Sequence, residues 1–258
     1  MPSLTKTKEV IDFKNNFIKS DVDLKQGEER TIINTALNGN IMNFNLGTNS
    51  KLTYITFDYG QNEATKNIFN AKLANDAHLE IYNIVTSDKD ATINGRVDLN
   101  NSGAQVNIIN LLLSVGTAKC DSFIDIYHND VHTESDLVNY AISRDEAVLI
   151  LNNNATIKKA SSKSIAHQQT KGLTLSKSSK IKALPNLYID EYDVIASHAC
   201  SIGSINKEDL FYLMSRGLTE TEASSIVVMG YVKPILDHIS DNNLKEEINK
   251  EFVNKLTK

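Results

Sequence analysis

Short apolar runs alternate with polar residues from about residue 31 to about residue 203, and a helical pattern begins only after them. Runs such as IMNFNL, HLEIYNIV and VNIINLLL are rich in β-branched and aliphatic residues and are bounded by Asn, Asp and Gly, which is typical of strands and turns. No helical period of useful length occurs before residue 205. The pattern predicts a mainly β core over residues 31–203, preceded by an N-terminal arm or edge strand over residues 1–30.

An internal repeat runs through this core. Alanines recur at intervals of 14, 13 and 14 residues, and an aliphatic residue or a cysteine follows each alanine by two positions. The pairs are Ala77 and Leu79, Ala91 and Ile93, Ala104 and Val106, and Ala118 and Cys120. Short strands at this spacing suit either a β-sandwich or a β-solenoid. The solenoid is favoured because equivalent positions repeat and because asparagines, including residues 152–154, fall where turns are expected and can stack between coils; the sandwich stays open as the alternative.

The pattern after residue 203 predicts a small helical subdomain over residues 204–258. Asn206 is placed to cap a first helix over residues 207–216. That helix should end at Gly217, because glycine adopts the left-handed backbone conformation without a Cβ penalty.

Two further helices are predicted beyond it. Thr219 and Glu222 form the T-x-x-E pattern of a capping box for a helix that runs to about Val232, and Pro234 should end or kink it. Asp241 is placed to cap the third helix. The apolar stripe of that helix, at steps of four residues, is Leu244, Ile248, Phe252 and Leu256. An amphipathic helix at this position is expected to dock on the core or on a partner.

Composition narrows the classes of function. A net charge of −5 argues against a general nucleic-acid binder, and no apolar run approaches the ~20 residues of a membrane span. The chain has two cysteines and no apolar export signal among its first residues, so a disulfide framework is not expected. A cytoplasmic location is expected instead. The sequence has no Walker A, G-x-G-x-x-G, H-E-x-x-H or C-x-x-C motif, so neither an autonomous enzyme nor an intrinsic cofactor is expected.

His198 and Cys200 are the pair of residues with metal-ligand chemistry that the pattern places together. On a strand, residues two apart point to the same face, so both side chains could reach one metal ion or sulfur atom. Imidazole and thiolate suit iron, zinc or an iron–sulfur cluster. The alternative is that Cys200 packs as a small apolar residue and that His198 bonds a nearby carbonyl. Two ligands do not close a metal site, so both interpretations stay open from spacing alone.

Three other residues of this kind are predicted to be structural. Cys120 occupies an aliphatic position of the repeat, which predicts an inert core thiol. His128 and His132 have the i, i+4 spacing of helical metal ligands, but their neighbourhood is strand and turn, so that geometry does not apply.

Several unusual runs occur at fixed spacing in the second half of the chain. SHACSIG is followed by DLFYLMSRGLTETEA and VVMGYVKPI, and upstream lie HNDVHTES and HQQTKGLTLSKSSKIKALPNLYIDEYDV. In this order the runs resemble the SufB/SufD family of iron–sulfur cluster assembly proteins, over roughly residues 75–235. The resemblance implies a right-handed parallel β-helix followed by a small C-terminal α-helical region.

The resemblance implies a role for His198. In SufD-like members a histidine in an S-H-x-x-x-x-G context is implicated in cluster assembly at the junction with SufB. SufB-like members usually carry Glu directly after this histidine, whereas Ala199 stands here, which favours a SufD-like assignment. A cysteine that is common two residues before the histidine is replaced by Ala196, and Cys200 stands where a small residue is usual. Cys200 therefore inherits no role from the family.

The resemblance also implies partners. The expected function is a non-catalytic scaffold subunit of a SufBCD-type complex, which pairs with a SufB-like chain or with a second copy of itself and binds the ABC-type ATPase SufC. Iron or a transient iron–sulfur cluster is expected at the subunit interface. The expected subunit seam consists of Ile195, Ser197 and His198. The expected ATPase-partner interface consists of Leu210, Phe211, Tyr212, Met214, Arg216, Gly217 and Met229.

Two alternatives to this function remain. A homodimeric scaffold of the same family would use the same seam. A β-helix protein that binds or cleaves polysaccharide would need an export signal, clustered acidic residues and aromatic platforms, and the sequence shows none of these clearly.

Overall fold

The computed structural model describes residues 6–11, 19–35, 40–60, 64–239 and 241–257. These ranges contain fifteen strands and three helices. The first strands are β1 (Lys6–Ile11), β2 (Lys19–Leu24), β3 (Glu29–Asn34), β4 (Asn40–Leu46), β5 (Lys51–Asp58), β6 (Ala64–Leu73), β7 (His78–Ser87) and β8 (Asp90–Leu99). They are followed by β9 (Gln105–Ser114), β10 (Lys119–His128), β11 (Glu134–Ser143), β12 (Val148–Ile157), β13 (Ile165–Thr174), β14 (Lys180–Ile189) and β15 (Ile195–Ser204). The helices are α1 (Lys207–Ser215), α2 (Glu220–Leu236) and α3 (Asn242–Thr257).

The strands form a parallel β-solenoid of about six turns. Odd-numbered strands make an eight-stranded sheet and even-numbered strands a seven-stranded sheet, so the chain passes between the two sheets with each strand. Every described pairing is parallel and joins strands that are two apart in the sequence. The predicted mainly β fold with a helical C-terminal region is confirmed, and the sandwich alternative is wrong because a sandwich is built from antiparallel strands.

Residues 1–30, predicted to be an arm or edge strand, contain β1 and β2 and the beginning of β3. β1 is the outermost strand of the eight-stranded sheet, and β2 is the outermost strand of the seven-stranded sheet. Both therefore stand at the edge of a sheet and pair within the solenoid.

The predicted repeat is correct in one sheet and out of phase in the other. β7 and β9 pair Leu79 with Val106, as predicted. β10 and β8 instead pair Cys120 with Ala91, which places Ile93 opposite Ser122. The phase differs because the coils lengthen along the chain. Hydrogen-bonded side chains at one inner position are 27, then 29, then 31 residues apart in successive coils.

One corner of each coil is a turn with a residue in the left-handed backbone conformation. The backbone amide of each such residue donates to a carbonyl of the following coil, for example Asp76 to Ser102 and His132 to Ser162. This conformation favours Gly, Asn and Asp, which explains much of their use in the sequence. The stacked residues are Gly27, Asn49, Asp76, Gly103, His132 and Lys163.

A line of hydrogen-bonded side chains runs along the interior of the solenoid. The side-chain amide of Asn83 donates to Asn110 at 2.8 Å, Asn110 donates to Asn139 at 2.7 Å, and Asn139 donates to the Thr170 hydroxyl at 3.1 Å. We call Asn83, Asn110, Asn139 and Thr170 the amide ladder; all four are buried. A buried amide is tolerated when it is bonded, and each member lies directly opposite the next in register.

The asparagines at residues 152–154 lie within β12 rather than in a turn, so their predicted placement is wrong. They nevertheless bond between coils. Asn154 donates to the Asp125 carboxylate at 2.8 Å and accepts from the Asn186 amide at 2.8 Å. Stacking of like side chains thus occurs along strands, because the parallel register superimposes strand positions as well as turns.

The three helices begin where the sequence indicates. Asn206 accepts from the amide of Glu208 at 2.8 Å, and Thr219 and Glu222 form a capping box. The predicted end of α2 near residue 232 is wrong, because the helix continues through Pro234 to Leu236. The proline lies in the last turn, where the hydrogen bond that it removes is among the final ones of the helix.

α2 and α3 pack on the outer face of the eight-stranded sheet, the face that points away from the seven-stranded sheet. The predicted stripe of α3 is buried there. The strand residues that it and α2 cover are Ile33, Ile55, Phe57, Tyr82, Ile84, Leu111, Leu113, Ile142 and Leu173. Two polar contacts fix the end of α3: Lys255 pairs with Asp88 at 2.6 Å, and Arg144 donates to the Leu256 carbonyl at 2.8 Å. None of the helices in the described ranges has the length and apolar character needed to cross a membrane.

Candidate functional site

His198 and Cys200 lie on β15, the terminal strand of the eight-stranded sheet. In register, His198 lies opposite Gln168 and Cys200 lies opposite Thr170 of β13. Gln168 and Thr170 are buried inner-face residues. Because partners in a parallel pair share a face, the imidazole and the thiol both belong to the inner face of the solenoid, at its open end.

Both side chains are accessible. Cys200 and His198 are exposed, and neither makes a side-chain hydrogen bond within the described ranges. The alternative in which Cys200 packs in a core and His198 bonds a carbonyl is therefore wrong. The described residues contain no group of three or more His, Cys, Asp and Glu side chains that could hold a metal ion. A metal at this pair needs further ligands from another molecule, since closed sites generally use four.

The predicted seam residues are divided between the two faces of β15. His198 is on the inner face, whereas Ile195 and Ser197 belong to the outer face. Ile195 is 60% exposed, and the Ser197 hydroxyl bonds the Nδ1 atom of His167 at 2.7 Å. Among the described strands, β15 pairs on one side only, with β13.

The last coil, β14 and β15 with the turn between them, also exposes apolar side chains. They are Leu184, Tyr188, Ile189, Tyr192, Ile195 and Ile202. A strand edge with unpaired backbone groups and apolar neighbours is a template for pairing with another chain.

The predicted ATPase interface is partly exposed and partly packed. Leu210 and Met229 pack against the cluster beneath the helices. Phe211 is 75% exposed, and Tyr212 and Met214 are also exposed. Arg216 and Gly217, the other two predicted residues, are exposed at the end of α1, where the Arg216 guanidinium lies 5.3 Å from the centre of the Tyr212 ring. α1 has no fully buried residue, and its side chains Phe211, Tyr212 and Met214 form a free apolar surface.

Cys120, His128 and His132, the residues predicted to be structural, lie in the core and in a corner turn of the solenoid. Cys120 is fully buried in the main core, and burial raises the pKa of its thiol to about 12. The His128 imidazole is buried between the hydroxyls of Thr133, at 2.8 Å, and Ser135, at 2.9 Å. Burial lowers the pKa of this imidazole to about 4, so it is neutral at pH 7. His132 occupies the corner turn.

Sequence reasoning missed Gln168 and Thr170, the residues directly beneath His198 and Cys200 on the inner face. The signal that finds them is the parallel register, which aligns residues about one coil apart. In that register Thr170 is the last member of the amide ladder, and Cys200 occupies the following position.

The fold and site define a class of protein: a parallel β-solenoid whose last coil is open, carries a histidine and a thiol on its inner face, and is followed by a helix with a free apolar surface. Residues 17–231 match the family model of the SUF system FeS cluster assembly, SufBD core domain. The chain belongs to this family.

Relatives with curated descriptions agree with this assignment. The chain is 28% identical to the iron-sulfur cluster assembly protein SufD of Bacillus subtilis over 204 residues, which are 78% of this chain and 47% of the relative. It is 23% identical to SufD of Escherichia coli over 237 residues, which are 88% of this chain and 56% of the relative. A SufBD family protein of Archaeoglobus fulgidus is 46% identical over 67 residues, 26% of this chain and 18% of the relative. The chain thus spans about half the length of the SufD relatives, and the predicted family, with its likeness to SufD, is confirmed.

Proposed function

We propose that this chain is a non-catalytic, SufD-like scaffold subunit in iron–sulfur cluster assembly. The observation that carries the proposal is the open last coil, which presents His198 and Cys200 on one face of an unpaired edge strand. Family membership supports the assignment to cluster assembly. The partners in this role are a SufB-like chain, or a second copy of this chain, and a SufC-like ABC-type ATPase.

The partner subunit is proposed to add its own strands to β14 and β15. Both strands are terminal in the sheets that the described residues form, so within those residues their backbone N–H and C=O groups on one side are free to bond a strand of another chain. Ile195 and Tyr192 lie on or beside this edge and are exposed. Such an addition would cover the apolar side chains of the last coil and place His198 at the seam.

The cargo at this seam is iron, sulfide or a nascent cluster. A neutral imidazole and a thiolate are suitable ligands for iron and for iron–sulfur clusters. Since His198 and Cys200 supply two ligands, the partner subunit would supply the others. Binding would then be transient, because half of the coordination is lost whenever the two subunits separate.

The test of this role compares the wild type with His198→Ala, produced with a SufB-like and a SufC-like partner. We expect both proteins to co-purify with the partners, because a single exposed imidazole contributes little to a large interface, and we expect cluster assembly to be lost only in His198→Ala. The matched control is His167→Ala, which removes an imidazole from the outer face of the neighbouring strand. Normal assembly by His198→Ala, or a chain that remains monomeric with both partners, would refute the proposal.

The ATPase is proposed to bind the free surface of α1. Phe211→Glu is expected to weaken binding of the SufC-like partner by roughly 30-fold or more, because an exposed aromatic anchor is typical of an interface hot spot. The measurement is calorimetric titration of the partner into each variant. Val253→Glu, at an exposed apolar residue of α3, is the control and should bind like the wild type. Equal affinities for Phe211→Glu and the wild type would place the ATPase elsewhere.

A further inference from the structure

Gln168 interrupts an apolar column on the inner face of the eight-stranded sheet. The parallel register aligns Ile81, Ile108, Leu137, Gln168 and His198 in successive strands. The first three are fully buried aliphatic residues that pack on one another in the main core. An aliphatic residue would continue this column, yet an amide stands at the position next to the exposed histidine. Packing alone does not account for that choice.

The Gln168 amide is satisfied on one side only. Its Nε2 atom donates to the Asn186 carbonyl at 3.3 Å, and its Oε1 atom has no hydrogen-bond partner within the described ranges. The side chain is 4% exposed. Asn110 and Asn139 of the amide ladder, by contrast, have both amide atoms bonded. A buried acceptor without a partner carries a cost in free energy, so the Gln168 side-chain oxygen is open to any donor that comes within reach.

We propose that Gln168 is a positioning residue for His198, whose ring N–H donates to the Gln168 side-chain oxygen. The hydrogen bond between Gln168 and His198 is inferred from the structure alone. Its role, to hold His198 for a ligand, rests on the proposed function. Neighbouring strands lie about 4.8 Å apart, and the two residues share the inner face, so a rotation of the exposed imidazole brings the groups within hydrogen-bond reach.

The contact decides which ring nitrogen of His198 is available. The amide oxygen can only accept, so the ring nitrogen that faces it must carry the proton. In the neutral imidazole the other nitrogen is then the unprotonated one, and it is directed away from the core, toward the open end of the solenoid. Histidines that bind metals usually donate their second ring N–H to a fixed acceptor, which holds both the tautomer and the ring orientation. Gln168 is placed to be that acceptor.

The tautomer of His198 tests the proposal directly. The 258-residue chain with 15N-labelled histidine is measured by NMR at neutral pH as wild type, Gln168→Leu, Gln168→Glu and the control Gln169→Leu, with His198→Ala used to assign the signal. We expect one tautomer in the wild type, a mixture in Gln168→Leu, and the wild-type tautomer in Gln168→Glu, whose carboxylate also accepts. Gln169 is the adjacent residue on the outer face, so its replacement should leave the signal unchanged.

Ring 15N shifts of His198 that are the same in the wild type and Gln168→Leu would overturn the proposal, as would a mixture of tautomers in the wild type. An equal change in Gln169→Leu would also overturn it, since the effect would then be unspecific. If Gln168→Leu does not fold, Gln168→Met removes the acceptor while keeping the length of the side chain. The proposed function fails separately, through normal cluster assembly by His198→Ala.

Discussion

Replacing Asn110 with leucine lowers the free energy of unfolding by roughly 2–6 kcal/mol, if each of two buried groups left unbonded costs about 1–3 kcal/mol. The Asn110 oxygen accepts from Asn83 at 2.8 Å, and its amide donates to Asn139 at 2.7 Å. Leucine has a similar volume, so the main effect is the loss of both hydrogen bonds and not a cavity. Urea unfolding followed by circular dichroism measures the change.

The control for this prediction lies three residues earlier on the same strand. Asn107 is exposed on the other face of β9, so Asn107→Leu should change stability by less than about 0.5 kcal/mol. Asn110→Leu and Asn107→Leu with similar unfolding midpoints would show that the amide ladder contributes nothing beyond the packing of its side chains.

Acidification from pH 6.5 to pH 4 should lower the free energy of unfolding by about 3 kcal/mol through His128 alone. This value follows because each unit of difference between the folded and unfolded pKa corresponds to about 1.36 kcal/mol. Burial holds the pKa of the folded imidazole near 4, below its ordinary value of 6.5. Between these values the unfolded chain binds a proton that the folded chain does not, so stability falls as the pH falls. Above pH 6.5 both states are neutral, and this contribution to stability is fully present.

Chemical unfolding at a series of pH values, in the wild type and in His128→Gln, isolates this contribution from that of the carboxylates. Glutamine is neutral at every pH and can still bond the neighbouring hydroxyls. We expect the difference in free energy between the two proteins to change by about 3 kcal/mol across this interval and to level off above it. A constant difference from pH 7 to pH 4 would mean that His128 is not buried as a neutral group.

The parts of the fold that depend on local chemistry could be predicted from the sequence. Asn206, Thr219 and Glu222 cap their helices through contacts within three residues, which do not depend on where the helices pack. The starts of these helices could therefore be predicted. The prediction that α2 ends near Pro234 was wrong, because a proline in the middle of a helix costs a large amount of free energy. The local sequence does not show that Pro234 lies in the last turn, where this cost is smaller. Cys120 was assigned to the core correctly, although its partner across the sheet was not.

The site was predictable only within a single strand. The period of two places His198 and Cys200 on one face from sequence alone. Gln168 could not be assigned to His198 in the same way, because their alignment depends on the length of a complete coil. That length varies from 22 residues between β3 and β5 to 32 residues between β12 and β14. The corners set that length, and the number of residues in a corner turn is not fixed by an alternation of apolar and polar positions.

The docking of α3 has a consequence for the cooperativity of unfolding. In a solenoid each coil contacts its neighbours only, so such proteins can open stepwise from an end. α3 contacts Asp88, just after β7, and Arg144, just after β11, and so connects turns that are two coils apart. The intervening coils cannot separate while both contacts hold. α3 thereby links these coils to one another, which makes the middle of the solenoid open as one unit.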